Sequence, residues 1–259
     1  MDLKTITNFL EELAPNSLAY KGEELGIIYG DSNRDITTIG VTWRPTVKVL
    51  HEAVKSSVEL LITHEPLFQS KKSFIVDASL LKYPPNQKRD NLLKQGNISV
   101  YRYHSQWDDA KDGNNETLVK LFNLRNITRI DYGRIGEINP CPLSQFINVV
   151  KKTLGCDNAL VSQANETREV KRVAVVSGSG NSLTEIIELV KQKGADVLVS
   201  GDVHDSKARF AVELGLTLID AGGYFTEKPG MQNLTKILQE NFPKLKIFFL
   251  DPGAPWEVR

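Results

Sequence analysis

The chain has 259 residues, with 32 Lys plus Arg against 32 Asp plus Glu, 41% hydrophobic and 25% charged residues: a globular composition with a real core and zero formal net charge. Zero net charge gives no general attraction to nucleic acid or to an anionic membrane surface. No stretch approaches the roughly 20 apolar residues needed to span a bilayer. The opening MDLKTITNFLEEL has no apolar signal core. Cys141 and Cys156 form neither a CxxC pair nor a disulfide framework, so a cytoplasmic protein with reduced thiols is expected.

In chain order, Leu3, Ile6, Phe9, Leu10 and Leu13 have helical spacing with Pro15 just beyond. The β-rich runs GIIYG (26–30) and ITTIGVTW (36–43) follow, then an amphipathic helix in TVKVLHEAVKSS and a buried strand in VELLITH (58–64). Residues 69–90 are polar, contain Pro84-Pro85 and read as a long loop. A short helix, NLLKQ, leads to the strand ISVYRYH (98–104). A second polar loop, SQWDDAKDGNNE, precedes the helix TLVKLFNL. Residues 126–140 read as edge or hairpin strands, which puts a domain boundary near 124–130.

The second half alternates. PLSQFINVVKKTL is a helix, and NALVSQ and KRVAVVSG are strands. SLTEIIELVKQKG is a helix closed by Gly194, ADVLVSG a strand, SKARFAVELG a helix closed by Gly215 and LTLIDAG a strand. The helix MQNLTKILQENF and the strand KIFFL end the pattern. Strands alternating with helices predict an α/β fold with mixed, largely parallel sheets. The predicted first domain is 1–125, completed by 218–259, and the second is 126–217.

In such sheets ligands bind beyond the carboxyl ends of strands. VELLIT is followed there by His64-Glu65, ISVYRY by His104 with Asp108 and Asp109, VAVV by SGSGNS, ADVLVSG by Asp202 and His204, and LTLIDAGGYFTE carries Asp220 and Glu227. His64, His104, Asp108 and Glu227 form the sharpest set. Imidazole with carboxylate suits Zn, Mn, Fe(II) or Ni, and Mg less well. Three of the four also have a plain structural reading. His64 is hydrogen-bonded at a strand end, Asp108 caps a turn, and Glu227 is solvated in a first helical turn. SGSGNS is either an anion cradle or a strand-to-helix turn capped by Ser182. His51 reads as structural or exposed.

Taken in order, ITHEP, YHSQWDDA with GNNETL, VVSGSGNSLTEII, GADVLVSGD and LIDAGGYFTE resemble the Nif3-like family, whose members are often called GTP cyclohydrolase I type 2 homologues or dinuclear-metal hexameric proteins. The opening helix, ELAP and LGIIYGD fit as well, so the resemblance covers nearly the whole chain. It implies two α/β domains per subunit and a pair of metal ions near the inner wall of a ring-shaped homohexamer.

The family's THHP motif falls on His64 and Glu65, its HTNLD on His104 and Asp108, and its DAGHYxTE on Gly223 and Glu227. One implied metal set is therefore intact, as His64, Asp108 and Glu227. The other has exchanged an imidazole for Glu65 and lost one at Gly223. One complete site and one weak, altered or empty site are expected, with His104 and His204 the candidates to fill the gap. Pro66 biases Glu65 to an extended conformation.

The implied function is metal-dependent hydrolysis of a nucleotide or other small molecule, with His104 or Glu65 as general base. The alternative is a non-catalytic metal-binding, metal-delivery or scaffold protein.

Overall fold

The computed structural model describes residues 1–68, 78–164, 169–182 and 184–257. In chain order its elements are α1 (Leu3–Leu13), β1 (Gly26–Tyr29), β2 (Thr38–Thr42), α2 (Val47–Lys55), β3 (Leu60–Thr63), α3 (Pro84–Gly96), β4 (Ser99–Arg102), α4 (Ser105–Asp109) and α5 (Asn114–Leu121). There follow β5 (Arg125–Ile130), β6 (Gly133–Pro142), α6 (Leu143–Leu154), β7 (Leu160–Ser162), β8 (Glu169–Val175), α7 (Thr184–Gln192), β9 (Val197–Ser200), α8 (Asp205–Glu213), β10 (Thr217–Asp220), α9 (Gly223–Asn241) and β11 (Lys246–Phe249). They form two compact units, Met1–Lys111 with Met231–Gly253, and Asp112–Gly230 with Ala254–Arg259.

In the first unit the sheet order is β1-β4-β3-β2-β11. All neighbours are parallel except β1, which runs antiparallel to β4. Alternate residues of the buried strands face opposite layers, as the two-residue period of a strand requires. Leu60, Ile62 and Tyr101 pack with Leu3, Ile6 and Leu10 of α1 and with Leu234 and Leu238 of α9. Leu61 and Val100 pack with Val49 and Leu50 of α2 and Leu92 and Leu93 of α3. The apolar runs read as buried strands are therefore covered on both faces, the usual condition of parallel strands.

The second unit has sheet order β5-β6-β8-β9-β10-β7. Its centre, β8-β9-β10, is parallel, and its margins are antiparallel. Val173, Val175, Val197 and Val199 face Leu118 of α5 and Phe146 and Val150 of α6. Ala174 and Leu198 face Ile187 and Val190 of α7 and Ala211 of α8. The α/β class and the mixed sheets agree with the sequence reading.

Three elements differ from that reading. The loop expected over 69–90 ends at Pro84, where α3 begins with proline in its first turn, a position that needs no N–H. Its buried face includes the polar Asn86, Arg89 and Asp90, so no apolar period announces it. The second polar loop contains the single turn α4, whose five residues are all buried, and the start of α5. The last helix begins at Gly223, eight positions before the expected start, and runs through Pro229 and Gly230, both breakers by sequence rule. Residues 69–77 and the side chain of Ser182 lie outside the described residues. Among the described residues, no helix is long and apolar enough to cross a membrane.

Candidate metal centre

The register of β2, β3 and β4 sets Thr42, Thr63 and Arg102 level across the sheet. The residues just after them therefore emerge together at the carboxyl edge. His64 follows β3, and Tyr103 and His104 follow β4. The ladder continues one step, with Tyr103 N–H donating to Thr63 O at 2.9 Å and His64 N–H to Thr42 O at 3.3 Å. The chain then turns at His104 into α4, where Asp108 N–H donates to His104 O at 3.2 Å. That i to i+4 contact stacks Asp108 one turn above His104, as the spacing allowed.

The result is a group of three ligand atoms, one each from His64, His104 and Asp108, all within 4.8 Å of one another. His64 is fully buried and Asp108 nearly so. The imidazole rings lie 4.6 Å apart between centroids.

Each ring is oriented by its Nδ1. His64 Nδ1 sits 3.0 Å from the carbonyl oxygen of Tyr103. A carbonyl only accepts, so His64 carries a proton on Nδ1, and in the neutral ring Nε2 is the lone-pair nitrogen. That Nε2 faces Asp108 Oδ1 at 3.6 Å. His104 Nδ1 sits 2.8 Å from Glu23 Oε1. Burial alone would raise the Glu23 carboxyl, but hydrogen bonds from His104 and Ser105 and the nearby charges of His104 and Arg102 outweigh it and hold the group below its ordinary range. Glu23 is thus an acceptor, so His104 carries a proton on Nδ1, and the neutral ring presents Nε2 as its lone-pair nitrogen.

Two imidazoles and a carboxylate, with each ring anchored through Nδ1, form a donor set that a metal ion can take. The residues fit the ion that the sequence implies, and the buried His/His/Asp group could hold one.

Arg102 lies beneath the group, almost completely buried, with Nε 3.4 Å from His64 O and Nη1 3.2 Å from Glu24 O. Burial lowers its guanidinium from the usual value, while Glu23, Glu65, Glu24 and Asp108 act in the opposite sense. Neither Glu23 nor Arg102 stood out in the sequence. Glu23 is 81 positions from its partner His104, and no spacing signal connects them.

Two other sequence candidates of the first unit take other places. Glu65 does not join the three-residue group; its carboxylate is 3.0 Å from Arg44, whose guanidinium stacks on Trp43. His51 is exposed on α2.

In the second unit Glu227 is buried on α9 beside the backbone of Gly178, so closely that a Cβ at 178 would overlap its carboxylate. His204 is exposed and caps α8, its Nδ1 accepting from Ser206 N–H at 3.4 Å. Gly223 N–H donates to Asp202 Oδ1 at 3.1 Å, and a side chain at 223 would overlap that same carboxylate. In SGSGNS, the N–H of Gly178 is committed to Thr226 Oγ1 at 3.0 Å and that of Gly180 to Ser177 O at 3.4 Å. Two of the donors an anion cradle would use are thereby engaged.

The family model for Duf34/NIF3 (NGG1p interacting factor 3) matches residues 1–253. The chain belongs to this family. Among its relatives, the GTP cyclohydrolase 1 type 2 homolog of Methanocaldococcus jannaschii is 33% identical over 97% of this chain and 100% of its own length. The homolog of the same name from Clostridium perfringens is 30% identical over 93% of this chain and 92% of its own.

Among solved structures, reduced HcgD from Methanocaldococcus jannaschii superposes with a TM-score of 0.82 at 31% identity, covering 96% of this chain and 98% of that one. Staphylococcus aureus SA1388 superposes at 0.86 with 21% identity, over 100% and 99% of the two chains, and bears on the fold alone.

Proposed function

We propose that this family member holds a divalent transition-metal ion on His64, His104 and Asp108 and hydrolyses a nucleotide or another small molecule there. The observation that carries the reading is the shared orientation of the two histidines. Each commits Nδ1 to a fixed acceptor, Asp108 Oδ1 lies 3.6 Å from His64 Nε2, and one ligand atom from each of the three residues falls within 4.8 Å of the others. A bound ion would supply Lewis-acid activation of water at neutral pH. His64 and His104 hold their lone pairs in place without reorganisation, and Asp108 contributes the negative charge that favours a dication over a proton. Glu227 is proposed as a further ligand by family resemblance, as are the homohexameric ring, the cytoplasmic location and GTP among the substrates to test.

One observation favours a second reading, metal holding without turnover. Glu65 is the carboxylate proposed to take a proton from the nucleophile, and it is ion-paired to Arg44. An ion pair to a guanidinium makes a carboxylate a weaker base.

Elemental analysis of protein purified without chelator, followed by a screen of nucleotides and simple phosphoesters with wild type and Asp108→Ala, tests both readings. Metal together with an activity that Asp108→Ala abolishes supports hydrolysis. Metal without any activity supports holding. No metal, and none taken up on reconstitution with Zn²⁺ or Mn²⁺, overturns both.

A further inference from the structure

The loop between α1 and β1 reaches the metal group through one side chain. Tyr20 N–H donates to Ser105 Oγ at 2.9 Å, Ser105 Oγ–H donates to Glu23 Oε2 at 2.6 Å, and Glu23 Oε1 lies 2.8 Å from His104 Nδ1. Both carboxylate oxygens are therefore held, and the hydroxyl that holds one of them is itself fixed by backbone. The Glu23 side chain is 4% exposed, so water does not substitute for these partners. The turn that carries His104 is tied to the preceding loop as well. His104 N–H donates to Gln106 Oε1 at 2.9 Å, and Gln106 Nε2 donates to Asn16 Oδ1 at 3.3 Å.

From this chain of bonds we infer that Glu23 is the positioning residue of the metal centre. It fixes His104 as the Nδ1–H tautomer and sets the ring so that Nε2 meets His64 and Asp108. The inference rests on the proposed metal-holding role of that group and adds to it a residue from a loop to which the sequence reading gave no function.

The physical case is the contrast between the two rings. His64 is anchored on a main-chain carbonyl that no substitution of a side chain can remove. His104 has a side-chain anchor, so its orientation depends on one residue identity. Without an acceptor at Nδ1 an imidazole takes either tautomer and turns about its χ angles, and some of those states place N–H, not a lone pair, toward the ion. Carboxylate partners of ligating histidines typically contribute about 10–100-fold in metal affinity.

The test is Glu23→Leu, which removes both acceptor oxygens, beside Glu23→Gln, which keeps one acceptor. In the full chain stripped of metal, long-range proton–nitrogen correlation spectra of the imidazoles report the His104 tautomer. Competition with a chelating dye reports Zn²⁺ affinity. The expected results are an Nδ1–H tautomer in wild type and Glu23→Gln, a mixed or Nε2–H tautomer in Glu23→Leu, and a loss of affinity in Glu23→Leu of about 10–100-fold.

An unchanged His104 tautomer with unchanged affinity in Glu23→Leu overturns the inference. If Glu23→Leu does not fold, Ser105→Ala, which releases Oε2 and the Tyr20 N–H but leaves Oε1 on His104, is expected to shift both readouts in the same direction by less, and no shift in either overturns the inference equally. If wild type binds no Zn²⁺, the metal reading fails, while the tautomer comparison still decides what Glu23 does.

Discussion

Both units end buried parallel strands in polar groups, yet the two sets of ends behave differently. In the second unit, after β9 and β10, the carboxylates turn back on the chain. Asp220 accepts N–H from Asp202 at 3.1 Å, Val203 at 2.9 Å and Gly222 at 2.8 Å, and Asp202 accepts from Gly223 at 3.1 Å. In the first unit, after β3 and β4, each histidine commits Nδ1 to a fixed acceptor, and ligand atoms of His64, His104 and Asp108 come within 4.8 Å of one another. An aspartate that accepts several backbone N–H groups is a turn former. An imidazole oriented through one nitrogen can serve as a ligand through the other. The carboxyl edge of a parallel sheet thus offers a place for a site; the partners of each side chain decide whether there is one.

The largest effect that tests this contrast is on metal binding. Asp108→Ala removes the only carboxylate of the three-residue group. It is expected to weaken Zn²⁺ binding by more than about 100-fold, above the range lost with a supporting partner, while the urea midpoint measured in chelator stays near that of wild type. An equal loss of folding stability without loss of metal would place Asp108 among the turn formers instead. The converse substitution, Asp220→Ala, strands three backbone N–H groups at a half-buried turn. It is expected to cost about 2–3 kcal/mol of stability by urea denaturation. A neutral result would mean that solvent serves those groups as well as the carboxylate does.

Gly223 gives a smaller and sharper test. The resemblance made it the position of a lost imidazole. The fold shows why a side chain cannot simply be put back: the space its Cβ needs is taken by the Asp202 carboxylate, which also accepts the Gly223 N–H. Gly223→Ala is expected to cost about 1–2 kcal/mol through this overpacking. Asp202→Gly introduced beside it should recover most of that cost. If Gly223→Ala is as stable as wild type, Asp202 moves without penalty and the strand-end turn is looser than its hydrogen bonds indicate.

The strands and their ends were legible because an apolar run that stops at a histidine is a local signal, and His64, His104 and Asp108 were all found that way. Helices with an apolar period were legible too; α3, α4 and the first turns of α9 were not, because they bury polar residues or run through Pro and Gly. Glu65 illustrates what adjacency does not give. Its N–H continues the ladder to Trp43 O at 2.9 Å, and in such extended backbone neighbouring side chains diverge, so His64 joins the metal group while Glu65 reaches Arg44. Glu23 was out of reach for the opposite reason: its partnership with His104 exists only once β1 and β4 are paired at the sheet margin.

The smallest expected effect sharpens the rule at the other edge of the first unit's sheet. Glu59, just before β3, accepts from Thr37 N–H at 2.6 Å, Thr37 Oγ1 at 2.7 Å and Thr38 N–H at 3.1 Å, all on one oxygen. Burial alone would raise its carboxyl, but these bonds and the Arg34 guanidinium outweigh burial and lower it. A group depressed in the folded state contributes stability above its unfolded value, about 4.3 for glutamate, and that contribution is lost as pH falls through the folded value. Glu59→Gln should therefore cost about 1 kcal/mol at neutral pH and progressively less as the pH drops below about 4. Urea midpoints of wild type and variant, compared at neutral pH and in acid, would then converge. A gap that stays constant with pH would show that the geometry of the side chain, not its charge, holds the start of β2. The carboxylate would then be a spacer and not the electrostatic counterpart of the turn-forming Asp220.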